Sequence, residues 1–132
     1  MGGSSKNEVQ KISVLIVDDD PLVRRVEGML LKRYGLETKA VANGKEAVDM
    51  FLAGNSYDLV LMDMEMPVMD GPKATRMLRG MGVSCMIVGV TARDDEAEKA
   101  AFVAAGLDFC WEKPLSAQGV VAILDDLTKK LL

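Results

Sequence analysis

Four short apolar runs constrain the fold of this chain more than any other feature, because each of them leads into a polar residue. The runs are 12–17, 59–62, 86–90 and 107–112. The polar residues that follow them are Asp18, Asp19, Asp20, Asp63, Thr91 and Lys113. Short runs of this kind, rich in β-forming residues, are typical of parallel strands that are buried on both faces. The sequence therefore predicts an α/β protein built on a parallel sheet.

Segments with helical spacing alternate with these runs. Pro21 suits the first position of a helix that ends near residue 34, and Gly35 marks its stop. A more polar run at 36–41 suits a strand at the edge of the sheet. Further helices are predicted at 43–53, 71–79, 94–106 and 116–131. We predict a single doubly wound (βα)5 domain with five parallel strands in the order 2-1-3-4-5 and helices on both faces.

The predicted domain covers residues 12–132, and residues 1–11 are predicted to form a flexible tail. The first helix carries apolar side chains at helical spacing, which are expected to form its apolar face. These side chains are Leu22, Val23, Val26, Met29, Leu30 and Tyr34.

Charge and hydropathy exclude several classes of partner. The net charge is −4 and there is no long basic run, which argues against nucleic acid or a membrane surface. No segment reaches the roughly 18 apolar residues of a membrane span, and the first residues lack the apolar core of a signal peptide. We expect a cytoplasmic protein, with the nucleus as the alternative location.

The sequence contains no histidine, which excludes Ser-His-Asp and Cys-His catalysis and any phosphohistidine on this chain. Its two cysteines, Cys85 and Cys110, are predicted to lie on neighbouring strands. Their expected offset is about 10 Å at roughly 3.3 Å per residue. That distance is too long for a disulfide bond, so a reducing compartment is expected.

The polar strand ends predict a site, because open α/β sheets bind ligands outside the carboxyl ends of their strands. Three carboxylates gathered there would repel one another without a cation, and oxygen ligands suit Mg²⁺, with Mn²⁺ as an alternative. A hydroxyl and an ammonium group beside them suit a phosphoryl group. Each residue also has an ordinary interpretation: the aspartates as helix caps, Thr91 as a strand-end hydrogen-bonding group, Lys113 as a surface charge. Because polar residues of these kinds follow all four predicted strands, chance is a poor explanation for the pattern.

Four motifs give this pattern a family resemblance. The segments VLIVDDDP, DLVLMDMEMPVMDG, GVTAR and EKP resemble the receiver domain of two-component response regulators, the CheY-like family, over about residues 11–131. The resemblance implies that Asp63 is the phosphoacceptor and that Thr91 and Lys113 contact the phosphoryl group. It also implies a Mg²⁺ site formed by Asp19, by Asp18 directly or through water, by Asp63 and by the backbone carbonyl of Glu65. The domain would then catalyse only its own phosphorylation and dephosphorylation, rather than acting as an enzyme on other substrates.

The segment 85–115 is similar to the plant stand-alone response regulators called type C. That similarity implies a monomer in a multistep phosphorelay, such as cytokinin signalling, with a histidine phosphotransfer protein or histidine kinase as its partner. The result of phosphorylation would be partner modulation or a phosphate sink. One position departs from the family pattern: most receivers have Tyr or Phe three residues before the lysine, where this chain has Cys110. The usual switch by movement of that ring is therefore in doubt.

Two other interpretations stay open at this point. A phosphatase of the haloacid-dehalogenase type also uses a strand-end aspartate, and Asp18 and Asp20 have the required spacing. The Asp-Gly-Thr continuation of that family is missing, however, and Pro21 stands in its place. The other interpretation is a docking module that has lost phosphorylation, and the complete set of Asp, Thr and Lys residues argues against it.

Overall fold

A computed structural model describes residues 11–92 and 94–131 of the 132-residue chain. Apart from Lys11, the predicted N-terminal tail lies outside the described residues, so that part of the domain assignment stays a prediction. No helix within the described ranges is long and apolar enough to cross a bilayer.

Five strands alternate with five helices. The strands are β1 Ser13–Val17, β2 Glu37–Val41, β3 Leu59–Asp63, β4 Met86–Thr91 and β5 Phe109–Glu112. The helices are α1 Pro21–Arg33, α2 Gly44–Leu52, α3 Gly71–Gly80, α4 Glu96–Ala104 and α5 Ala117–Leu131. Every strand pairs in parallel with its neighbours, in the order β2-β1-β3-β4-β5. The predicted fold class and strand order are confirmed.

The sheet separates two hydrophobic cores. Residues of α1 and α5, such as Leu31 and Ile123, pack on one face, and residues of α2, α3 and α4, such as Val48, Leu78 and Phe102, pack on the other. β2 lies at one edge and is largely exposed, as its polar sequence predicts. The central strand β3 is buried at all of its residues.

The central strands extend one residue further than the sequence predicts. Asp63 follows the predicted run 59–62, but in the structure it is the last residue of β3 and pairs with Val90 of β4. Thr91 ends β4 and pairs with Glu112. The start of α3 also restrains Asp63, because a Cβ atom at Gly71 would lie 2.2 Å from the Asp63 carbonyl oxygen. The Asp63 side chain therefore projects from a fixed strand end.

Only part of the predicted apolar face of α1 packs against the core. Its buried residues are Glu27 and Leu31, whereas Leu22, Val26 and Met29 are exposed. Glu27 and Leu31 are one turn apart and share a face, so the helix is rotated to direct a carboxyl group inward. Arg24 lies one turn before Glu27 and donates from Nη1 to the Asp18 carbonyl at 2.7 Å. Contacts with the carboxyl edge of the sheet thus determine the orientation of this helix, and several apolar residues are left in solvent.

Both cysteines have free thiols. Cys110 pairs with Gly89 across β4 and β5, so Cys85 is offset from it by four residues along the sheet, one more than predicted. The expectation that they are too far apart for a disulfide bond agrees with this register.

Candidate functional site

The carboxyl edge of the sheet brings together the predicted site residues. Asp18 follows β1, Asp63 ends β3, Thr91 ends β4 and Lys113 follows β5. Because these strands are neighbours in the sheet, residues that are far apart in sequence meet in one place. An open cleft at this edge is lined by Asp63, Met64, Glu65, Thr91, Ala92 and Lys113.

Three carboxyl groups form an acidic cluster beside this cleft. One carboxylate oxygen from each of Asp18, Asp19 and Asp63 lies within 4.8 Å of the others. Asp18 is 2% exposed and Asp63 is 7% exposed, while Asp19 reaches solvent. Buried carboxylates at this separation repel one another, so the cluster suits a divalent cation that prefers oxygen ligands.

Lys113 supplies the positive charge of the site. Its Nζ lies 2.7 Å from Oδ2 of Asp18 and 3.1 Å from Oδ1 of Asp63. Partial burial disfavours the ammonium, but the hydrogen bond to Asp18 and the charge of Asp63 outweigh it and raise the pKa of Lys113. Its amide donates to the Thr91 carbonyl at 2.9 Å, and its peptide bond to Pro114 is cis. Lys113 is therefore a fixed cation that bridges two carboxylates.

The three consecutive aspartates have different roles. Asp20 caps α1, because its Oδ1 accepts from the Leu22 amide at 2.9 Å. Asp18 accepts from the Asp20 amide at 2.9 Å through Oδ1, in addition to its bond with Lys113. The capping interpretation is thus correct for Asp20, while Asp18 and Asp19 belong to the acidic cluster.

Burial changes the ionisation of Asp63. Desolvation, followed by repulsion from Asp18, raises the pKa of Asp63 from 3.8 to about 6 despite the opposing effect of Lys113. A bound cation would favour the ionised form. The ionised form of Asp63 is therefore disfavoured in this site, and a bound cation would reduce the repulsion between the carboxylates.

Comparison with known proteins identifies the family. The model of the response regulator receiver domain matches residues 14–125. The chain belongs to the response regulator receiver family. Two-component response regulator ARR22 of Arabidopsis thaliana is 47% identical over 133 aligned positions, which cover 96% of this chain and 94% of that protein. Two-component response regulator 24 of the same plant is 46% identical over 117 positions, covering 89% and 84% of the two chains.

A solved complex has a similar receiver domain. The co-crystal structure of the Saccharomyces cerevisiae histidine phosphotransfer protein Ypd1 with the receiver domain of Ssk1 matches with a TM-score of 0.76 and 26% identity, covering 92% of this chain and 90% of that one. Our chain is thus the receiver domain of a two-component signalling system, a non-enzymatic signalling module with an acidic pocket. The family match favours this assignment over the haloacid-dehalogenase alternative.

An aromatic ring from a helix lies next to the strand pair that contains Cys110. This residue pairs with Gly89, and the ring of Phe102 from α4 lies over Gly89 so closely that a Cβ atom there would be 2.8 Å from the ring. A large aromatic side chain therefore occupies this region, but it comes from α4 rather than from β5. Trp111 lies on the opposite face of the sheet from Cys110 and packs against Gly119 of α5.

Two residues of the site were missed in the sequence. Arg24 holds the backbone of Asp18, and Glu27 is a buried carboxyl group, 5% exposed. Desolvation, then repulsion from Asp18, raises the pKa of Glu27 to about 7, although Lys113 lowers it. Their spacing with Leu31 is the signal that could have revealed them, because positions 24, 27 and 31 share one face of a helix.

Proposed function

We infer that Asp63 accepts a phosphoryl group from a phosphohistidine on a partner protein. The observation that carries this proposal is the position of the Asp63 carboxylate. It belongs to the acidic cluster, contacts Lys113 at 3.1 Å, and also lines the open cleft. Asp18 shares the first two properties but does not line the cleft, and it is almost completely buried. Within the acidic cluster, Asp63 is the carboxylate that lines the cleft.

The transfer forms one bond and breaks another. An oxygen of Asp63 attacks phosphorus, the phosphorus–nitrogen bond of the phosphohistidine breaks, and its electron pair stays on the imidazole nitrogen. The imidazole must belong to a partner, because this chain has no histidine. Lys113 then pairs with a phosphoryl oxygen, and the Thr91 hydroxyl donates a hydrogen bond to another. Positioning and charge neutralisation of this kind are the main requirements of phosphoryl transfer.

A divalent cation fits the remaining acidic groups. Asp18, Asp19 and Asp63 would hold Mg²⁺, with the backbone carbonyl of Glu65 as a further ligand, and Mn²⁺ would suit the same oxygens. The metal would supply neutralisation of the charge on the transferred group. The same cation would keep Asp63 ionised. Ionisation is needed for attack on phosphorus, and the raised pKa of Asp63 by itself works against it.

The proposed partner is a histidine phosphotransfer protein or a histidine kinase, and the proposed state of this chain is a monomer. The Ssk1 receiver, which resembles this chain, was crystallised with a phosphotransfer protein. The plant regulators have nearly the same length as this chain, which supports a stand-alone role as a phosphate sink or partner modulator. Hydrolysis would return the site to its resting state, when water attacks phosphorus and releases inorganic phosphate from Asp63. A part in cytokinin signalling and a location in the cytoplasm or nucleus remain predictions.

The test is transfer from a phosphorylated plant histidine phosphotransfer protein with Mg²⁺, followed by mapping of the label. We expect stoichiometric label that is stable in acid and labile in base, on Asp63. Asp63→Asn should lose the label and stay folded, while Asp49→Asn, a change at an exposed aspartate of α2, should keep it. Full labelling of Asp63→Asn would refute the assignment. Repeated turnover of a free phosphate ester would instead support the phosphatase alternative.

A further inference from the structure

The loop between β3 and α3 contains a strained turn. Val68 has a φ of +71°, the one positive value at a non-glycine position within residues 11–92 and 94–131. The amide of Met69 donates to the carbonyl of Pro67 at 2.8 Å, which closes a three-residue turn centred on Val68. A γ-turn with positive φ at its centre is the rare, strained type. A β-branched side chain makes the conformation still less favourable.

Hydrogen bonds on both sides of the turn maintain this conformation. The Gly44 amide of α2 donates to the Met69 carbonyl at 3.0 Å, and the Gly71 amide donates to the Met64 carbonyl at 2.9 Å. Asp70 then caps α3 by accepting from the Lys73 amide at 2.9 Å. Strain of this kind persists where the surroundings over-determine it, and it concentrates at functional sites.

The turn exposes its apolar side chain on the loop that also supplies residues of the cleft. Val68 is 75% exposed, the highest value among the large apolar residues of the described ranges. Its loop begins at Asp63, and Met64 and Glu65 of the same loop line the cleft. The bond from Gly44 places the turn at the carboxyl edge of the sheet, since α2 follows β2 at that edge. Asn or Gly would suit this backbone better and would expose no apolar surface.

We propose that Val68 is a docking contact for the phosphohistidine-bearing face of the partner protein. This inference rests on the proposed function. Asp63 is only 7% exposed, so a donor nitrogen can reach it only if the surrounding partner surface lies over the loops at this edge. The strained turn presents the isopropyl group of Val68 to that surface. The partner must then carry an apolar patch next to its phosphohistidine.

The test compares two donors for each variant. Initial rates of Asp63 phosphorylation are measured with a phosphorylated plant histidine phosphotransfer protein and with acetyl phosphate, and the ratio of the two rates is reported. Val68→Asn tolerates positive φ and removes the apolar contact, while Val68→Leu keeps an apolar side chain without β-branching. Leu52→Asn is the matched control, because Leu52 is 67% exposed at the end of α2, on the opposite edge of the sheet.

For Val68→Asn we expect the ratio to fall by at least about fivefold, as for one apolar interface contact, and the melting temperature to rise. Val68→Leu and Leu52→Asn should keep a ratio near that of the wild type. An unchanged ratio in Val68→Asn would overturn the docking role, as would an equal fall with both donors or an equal fall in Val68→Leu. A wild type that neither donor labels would overturn the proposed function itself, so the two failures are distinguishable.

Discussion

Replacement of Glu27 by glutamine should stabilise the protein more at alkaline than at acidic pH. Glu27 is buried on α1 and makes no ion pair within residues 11–92 and 94–131. Burial and the negative charge of Asp18 raise its pKa from 4.5 to about 7. An acid with a raised pKa favours the folded state below its unfolded pKa, and this contribution is lost as the pH rises through the folded pKa. Glutamine has nearly the same shape and does not titrate.

The size of the effect follows from the two pKa values. A difference between 4.5 and about 7 corresponds to about 3 kcal/mol of unfolding free energy over the complete titration, at about 1.36 kcal/mol per pH unit. Between roughly pH 5.5 and pH 8 the linkage relation gives about 2 kcal/mol of this change. The glutamine amide also needs hydrogen bonds, but that contribution is constant with pH. The change in the stability difference with pH therefore isolates the charge.

Urea unfolding of the wild type and Glu27→Gln, with a chelator present, measures this difference at the two pH values. The advantage of Glu27→Gln should grow by about 2 kcal/mol from the lower to the higher pH. Asp63 also has a raised pKa, but it is present in both proteins and largely cancels. Glu37→Gln, at an exposed glutamate of β2, is the control and should show a constant difference. A constant difference in Glu27→Gln would show that the buried carboxyl group carries no unfavourable charge.

Two further predictions concern the metal site and the response to phosphorylation. Millimolar Mg²⁺ should raise the melting temperature of the wild type, because the cation binds the folded acidic cluster. At ten times its Kd the gain is about 1.4 kcal/mol, or a few degrees. Calorimetry should show a smaller rise in Asp19→Ala, and equal rises would count against the site. A phosphoryl mimic should move the loop after Asp63 and residues around Thr91 but leave α4 nearly in place, because the ring of Phe102 is fully buried and Cys110 is too small to act as the usual aromatic switch. Comparison of the free and mimic-bound forms by NMR measures this response. A shift of α4 by several ångströms, with Cys110 turning inward, would contradict the prediction.

Local patterns were sufficient for the fold and for much of the site. Apolar runs predicted the strands, and the polar residue after each run predicted what the carboxyl edge would carry. This worked because a parallel sheet places all these strand ends at one edge, so the residues that directly follow the strands in sequence lie near one another in the fold. Helix boundaries were also predicted well, since Pro21 and Asn43 act locally at the start of α1 and α2.

The sequence by itself determined the (βα)5 order, the polar strand ends and the absence of histidine from the chain. Only the tertiary structure decided which face of α1 is buried, because Arg24 turns inward to donate to the Asp18 carbonyl and Glu27 lies one turn further along the same face. It also decided that Phe102 covers Gly89 and that Val68 occupies a strained turn. These features depend on packing and hydrogen bonds between residues far apart in sequence, and local hydropathy does not record such contacts.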